Sequence, residues 1–195
     1  MRMTPGTGRI LVVRHGETEW SRDGRHTGRT DLPLTPEGRE RAARLAPLLG
    51  DWRPALVLSS PLQRARRTAE LAGLVPEIDP DLLEWDYGVY EGRTTPEIRE
   101  TTDDPEWTVW TTTTGLGESL ESVGDRAARV LARCRPLLRR GDDVVLVAHA
   151  HLLRILTATW LGMPPRAGAS LVLAPAGTGL LGYERDTPAL LRWNT

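Results

Sequence analysis

Phenylalanine is absent, cysteine occurs once, and no apolar run approaches the length of a membrane span. The single Cys134 excludes an internal disulfide and fits a reducing compartment. Residues 1–9 contain no apolar segment that could serve as a signal peptide, so a cytoplasmic protein without membrane association is expected. An excess of one charge is lacking too. The formal net charge is −1 and the basic residues are scattered rather than striped, which argues against a nucleic-acid footprint. Seven tryptophans take over the large-aromatic packing. With 195 residues, 26% of them charged, the chain suits one soluble domain over 1–195 with a substantial core.

What is present is an alternation of short apolar runs and helical spacing. The runs Ile10–Val13, Leu56–Leu58 and Val144–Val147 read as buried strands. A helix after each gives an α/β three-layer sandwich, a mostly parallel central sheet with helices on both faces. Thr35-Pro36 starts a helix expected to continue through Leu48-Leu49 to Gly50, and Ser60-Pro61 starts another that Gly73 closes. Apolar residues from Leu120 to Leu138 recur at three- and four-residue steps, predicting a long amphipathic helix with Cys134 in its buried stripe. A further helix is expected from His151 to Leu161. Leu171–Ala174 and Leu180–Tyr183 read as two late strands joined by a Gly-rich turn. The stretch 82–117 carries Trp85, Tyr87, Tyr90, Trp107 and Trp110 among acids and threonines. It is expected to form an excursion capping the C-terminal sheet edge, with one short helix at Thr95-Pro96.

Chemistry is expected at that edge, where open α/β sheets build ligand sites. Arg14-His15-Gly16 follows the first strand, Arg64 lies early in the helix after the second, His149 follows the run at 144–147, and Glu84 opens the excursion. Two histidines, two arginines and one carboxylate suit phosphoryl transfer. Arginines grip phosphate oxygens in bidentate fashion, and a neutral imidazole can attack phosphorus and hold the group covalently. Neighbouring guanidiniums disfavour imidazolium, and a carboxylic acid can protonate the departing alkoxide. Each residue also has a plainer reading as a structural histidine or a solvated charge. His149-Ala150-His151 would be half a metal site if alternate strand positions shared a face, but nothing nearby completes it. Trp20, Trp52, Trp85, Trp160 and Trp193 read as packing residues, whereas Trp107 and Trp110 are balanced between packing and ligand contact.

Taken in order, LVVRHGETEW at 11–20, HTGRTDLPLTPEG at 26–38, SSPLQRARRTA at 59–69, LLEWDYGVYEGRT at 82–94, GES at 117–119 and VAHAHLLR at 147–154 resemble the histidine phosphatase superfamily, its phosphoglycerate-mutase-like branch. The resemblance implies that His15 is the phosphorylated nucleophile and Glu84 the proton donor and acceptor. It implies that Arg14, Arg64 and His149 form the phosphate pocket, and that Thr27, Gly28 and Tyr87 contact substrate or phosphate. Two positions depart from the pattern. Ala150 stands where glycine is usual, its amide still able to face the phosphate, and Ser21 stands where an asparagine serves a phosphate oxygen.

Three functions follow from the resemblance. The stretch from Thr94 to Gly117 is short and acidic, which should poorly retain a highly anionic intermediate. That favours a phosphatase acting on small phosphate monoesters through a phosphohistidine, with no cofactor and no metal. A phosphoglycerate mutase is the alternative, and a non-catalytic phospholigand-binding domain the third. Acid phosphatase and sugar-bisphosphatase members are the most similar in motif. A homodimer is left open.

Overall fold

The computed structural model describes residues 8–50 and 52–195. Among these, β1 (Ile10–Arg14), β2 (Leu56–Ser59), β3 (Glu77–Ile78), β4 (Val144–Ala148), β5 (Thr178–Glu184) and β6 (Thr187–Trp193) form one sheet in the order β3-β2-β4-β1-β5-β6. The first four strands run parallel, while β5 is antiparallel to β1 and β6 to β5.

The alternation of strand side chains assigns each helix to a face. Leu11, Val13, Val145 and Val147 pack toward α3 (Leu45–Leu49) and α4 (Gln63–Leu71). Ile10, Val12, Val144 and Leu146 face α6 (Leu120–Arg139) and α7 (Ala150–Trp160). The buried stripe of α6, including Cys134, matches the spacing seen in the sequence. α7 begins one residue before the expected start, with His149 as its N-cap.

Three expectations are corrected. The helix after Thr35 breaks into α2 (Pro36–Ala43) and α3, because the ring of Pro47 collides with the carbonyl four residues back, that of Ala43. The start signal at Ser60-Pro61 lies ahead of its helix. α4 opens at Gln63, whose N–H donates to Asp31 Oδ1 at 2.8 Å, a cap from a distant loop that local sequence cannot announce. Leu171–Ala174 is not a strand. It follows a 3₁₀ turn at Pro165–Ser170, and Ala174 N–H donates to Asn194 Oδ1 at 2.7 Å. The late hairpin is instead β5–β6, turning at Arg185 with φ +55°. β6 escaped notice because it is a half-exposed edge strand containing Pro188, and proline is tolerated at edges only.

The excursion is packed rather than loose. Trp85, Tyr87, Tyr90, Ile98, Trp107 and Val109 are buried and continuous with the core on the α6–α7 face. Its helix α5 (Thr95–Thr102) carries a capping box between Thr94 and Glu97. Among the described residues no helix is long and apolar enough to cross a membrane.

Candidate active site

β1 and β4 are neighbours whose onward connections leave to opposite faces of the sheet, α2 and α3 on one side and α7 on the other. A crevice opens at such a switch point, outside the carboxyl ends of the strands. Parallel register pairs Arg14 with Ala148, and His15 N–H donates to the Ala148 carbonyl at 2.9 Å. His15 and His149 therefore leave adjacent strands together, with ring centroids 5.1 Å apart.

The ring of His15 is fixed by its backbone. Nδ1 lies 2.7 Å from the Gly16 carbonyl, which can only accept, so Nδ1 carries the proton and Nε2 keeps its lone pair. Burial, then the charges of Arg64 and Arg14, hold its pKa well below the ordinary histidine value. The result is a neutral imidazole with one free nucleophilic nitrogen. Gly16 is glycine for a packing reason: a Cβ there would stand 2.4 Å from the Gly38 carbonyl. Its N–H donates to Thr68 Oγ1 at 2.9 Å, tying the turn to the helix that carries Arg64.

Arg64 is fully buried and most of its donors are engaged. Nη1 donates to the Thr30 carbonyl, Nη2 to those of Thr27 and Gly28, and Nε to His149 Nδ1 at 3.2 Å. His149 must then accept at Nδ1 and carry its proton on Nε2, which lies 2.8 Å from Ser60 Oγ. Burial, followed by the Arg64 charge, lowers the pKa of His149 well below its usual value, so it acts as a neutral donor. Arg14 donates from Nη1 to the Leu173 carbonyl at 2.6 Å, while its Nε is buried with no partner among the described residues. Burial lowers the Arg14 pKa to about 10, and the guanidinium stays charged at neutral pH. An unpartnered cationic donor beside a neutral imidazole is an anion site.

Glu84 is buried and caps α7 from outside. Oε1 accepts from the Trp85 and Leu152 N–H groups at 2.9 Å each, and Oε2 from His151 N–H at 3.1 Å. Ala150, at the first position of α7, lies between His149 and these two donors. Glu84 is itself placed by an ion pair. Arg126 reaches Glu118 through Nε at 2.7 Å and Nη2 at 3.1 Å, and its Nη1 donates to the Leu83 carbonyl. The Glu118 carbonyl accepts from Trp85 Nε1 at 2.8 Å. Glu118 of the GES segment thus has a concrete task in holding the chain on both sides of Glu84.

The remaining expected contacts divide. Tyr87 is buried with its hydroxyl 2.5 Å from His151 Nδ1, and burial raises its pKa well above the usual phenol value. Thr27 offers Arg64 its carbonyl, while its hydroxyl donates to the Arg25 carbonyl. The Gly28 N–H is taken by both oxygens of Glu91 at 2.9 Å, and a Cβ there would lie 2.5 Å from the Trp85 carbonyl. Gly28 is thus a close-approach glycine. Ser21 is turned inward: its hydroxyl donates to the Thr18 carbonyl and accepts from Thr18 N–H, completing the cap of α1 (Glu19–Arg22). The metal reading of His149-Ala150-His151 loses its premise, since these residues open a helix and do not alternate along a strand. Ser60, His26, His151, Glu91 and Arg126 were not anticipated here. Ser60 alone had a usable signal, its place at the end of the second apolar run.

The family model for the histidine phosphatase superfamily (branch 1) matches residues 10–195. An acid phosphatase of Mycobacterium tuberculosis is 42% identical over 185 residues, covering 93% of this chain and 90% of that protein. A sedoheptulose 1,7-bisphosphatase of Saccharomyces cerevisiae is 36% identical, covering 80% and 69%. An Escherichia coli protein named "Probable phosphoglycerate mutase GpmB" is 33% identical, covering 91% and 86%. The solved structure of a Mycobacterium tuberculosis open reading frame superposes with a TM-score of 0.90 at 40% identity, covering 96% of this chain and 97% of that one. The motif order, the paired histidines at the switch point and these matches agree: the chain belongs to the histidine phosphatase superfamily, branch 1.

Proposed function

We propose that the protein is a phosphomonoesterase that hydrolyses small phosphate esters through a phosphohistidine on His15, without a metal ion. The observation that carries this reading is the locked tautomer of His15. Its Nδ1–H is committed to the Gly16 carbonyl and its buried ring is kept neutral, so Nε2 is a nucleophile at neutral pH. In the first half-reaction Nε2 attacks phosphorus, the P–O bond to the alcohol breaks, and Glu84 gives its proton to the departing oxygen. In the second, Glu84 takes a proton from water as the water oxygen displaces His15 from phosphorus. Arg14 neutralises equatorial charge through its unpartnered donor, and His149, whose Nε2 proton faces Ser60 Oγ in the free site, turns that proton to the phosphate when it binds. Arg64 contributes charge and locks the 27–30 loop and His149. Ser21 is left out of this set, because its hydroxyl serves the α1 cap.

Turnover of an aryl phosphate with and without chelator tests the reading. The expected result is stoichiometric phosphate release unaffected by chelator. Loss of activity restored by added metal would refute it. Phosphate exchange between glycerate positions without release would establish the mutase that one relative's name suggests.

A further inference from the structure

We propose that Ser60 is a further catalytic residue, whose hydroxyl proton bonds the same phosphoryl oxygen that accepts from His149 Nε2; this rests on the phosphomonoesterase reading of the same site. Three neighbouring strands bring the residues into a row. β2, β4 and β1 lie side by side and end at Ser59, Ala148 and Arg14, so Ser60, His149 and His15 come next along each. Main-chain bonds fix the two outer members against the middle strand. Ser60 N–H donates to the Val147 carbonyl at 3.0 Å, and His15 N–H to the Ala148 carbonyl at 2.9 Å. His15 and Ser60 thus leave the two strands that flank that of His149, and Ser60 and His149 are fully buried.

A hydroxyl offers one proton and two lone pairs. Both lone pairs of Ser60 are spent, since Oγ accepts from His149 Nε2 at 2.8 Å and from Leu62 N–H at 3.3 Å. The bond to Leu62, two residues on, is a serine turn that fixes the side chain ahead of α4. The Ser60 proton has no acceptor among the described residues. Two other buried hydroxyls at this edge differ. Ser59 Oγ donates to the Ser60 carbonyl at 3.0 Å, and Thr68 Oγ1 donates to the Arg64 carbonyl at 2.7 Å. A buried donor without an acceptor costs stability, which a ligand oxygen restores.

The position of that oxygen follows from the donors. Two donor atoms 2.8 Å apart can both reach one acceptor, which completes a near-equilateral triangle with them. When His149 turns its Nε2 proton to a phosphate oxygen, that oxygen comes to lie beside Ser60 Oγ. The bond from His149 to Oγ is given up, and only the Ser60 hydroxyl proton has to rotate to meet the same oxygen. Charge spreads over the equatorial oxygens in the transition state, where Ser60 and His149 act together as the two donors of an oxyanion hole do.

Orthovanadate, which imitates five-coordinate phosphorus on the nucleophile, tests this by calorimetry without turnover. Ser60→Ala should weaken vanadate binding by about tenfold or more. Should that variant not fold, Ser60→Cys keeps a side chain of similar shape with a much poorer donor, and the same loss is expected. A residue that served only to hold His149 would add nothing once His149 is gone. In a His149→Ala background, Ser60→Ala should therefore still cost about fivefold or more in vanadate affinity. Unchanged affinity in the single variant, or no further loss in that background, would overturn the role of Ser60 and leave ester hydrolysis by the native protein untouched. Vanadate binding that depends on Ser60 in a protein that hydrolyses no ester would defeat the phosphomonoesterase reading alone. No vanadate binding by the native protein would defeat both.

Discussion

At the scale of single residues, function depends on which hydrogen bonds are already committed. Glu84 accepts three backbone N–H groups with its two oxygens, and an amide in its place cannot accept at nitrogen. Glu84→Gln also removes the proton offered to the departing oxygen, and should lower kcat for alkyl phosphates by about 100-fold or more. Esters of acidic phenols, which depart without a proton, should lose at most about tenfold; comparing the two leaving-group series checks this. Equal losses would mean that Glu84 acts by holding α7 alone. Ser21→Ala should cost about 1 kcal/mol of stability through the lost cap and leave kcat/KM within about twofold. Urea denaturation and steady-state kinetics on one preparation separate these effects. That His15, Arg14, Arg64, Glu84 and His149 gather at one sheet edge was legible in the sequence, because Arg14, His15 and His149 directly follow apolar runs and Arg64 lies early in the helix after another. The cap that Ser21 completes was not legible, because a four-residue helix carries no periodicity and its serine looks, from sequence alone, like a free hydroxyl in a ligand loop.

At the scale of elements, the site depends on long-range clasps. Arg126 on α6 is buried and pairs with the largely buried Glu118 while its Nη1 holds the Leu83 carbonyl. Arg126→Ala leaves the largely buried Glu118 carboxylate only Ser122 Oγ at 3.2 Å and Arg29 at 3.6 Å, strips the donor from the Asp81 and Leu83 carbonyls, and should destabilise the fold by about 3 kcal/mol. In the surviving folded fraction, kcat should fall more than KM rises, because Glu84 loses its support before the phosphate site does. Chemical denaturation with single-turnover kinetics reads both quantities, and unchanged stability would refute the pairing. Strands β1, β2, β4 and β5 and the two long helices were legible because their apolar periodicity is set by the core they bury. The cap of α4 by Asp31 and the edge strands β3 and β6 were not, since each depends on a partner distant in the chain or on a weakly patterned edge, whereas the break at Arg44 has a local signal in Pro47 that the expected helix overran.

At the scale of the whole molecule, the histidines couple stability to pH. His15, His26, His149 and His151 all have folded pKa values lowered first by burial. An unfolded chain binds protons at these rings near the ordinary value of about 6.5. Below that pH the unfolded state takes up more protons, so stability is fully present above about 6.5 and is lost as pH falls toward the folded values. The melting temperature should drop by on the order of 5–10 °C between pH 7 and pH 5. The acid limb of kcat/KM should show no His15 titration near 6.5. A melting temperature flat across this range would contradict the burial of neutral imidazoles.

The nucleophilic role of His15 is tested most directly by acid-free rapid quench of the native protein with a ³²P-labelled ester, followed by mapping of the label. An acid-labile, base-stable phosphoryl group on Nε2 of His15, formed and discharged at rates matching turnover, is expected. Steady turnover with no label on that ring, or undiminished turnover by His15→Ala, would contradict it.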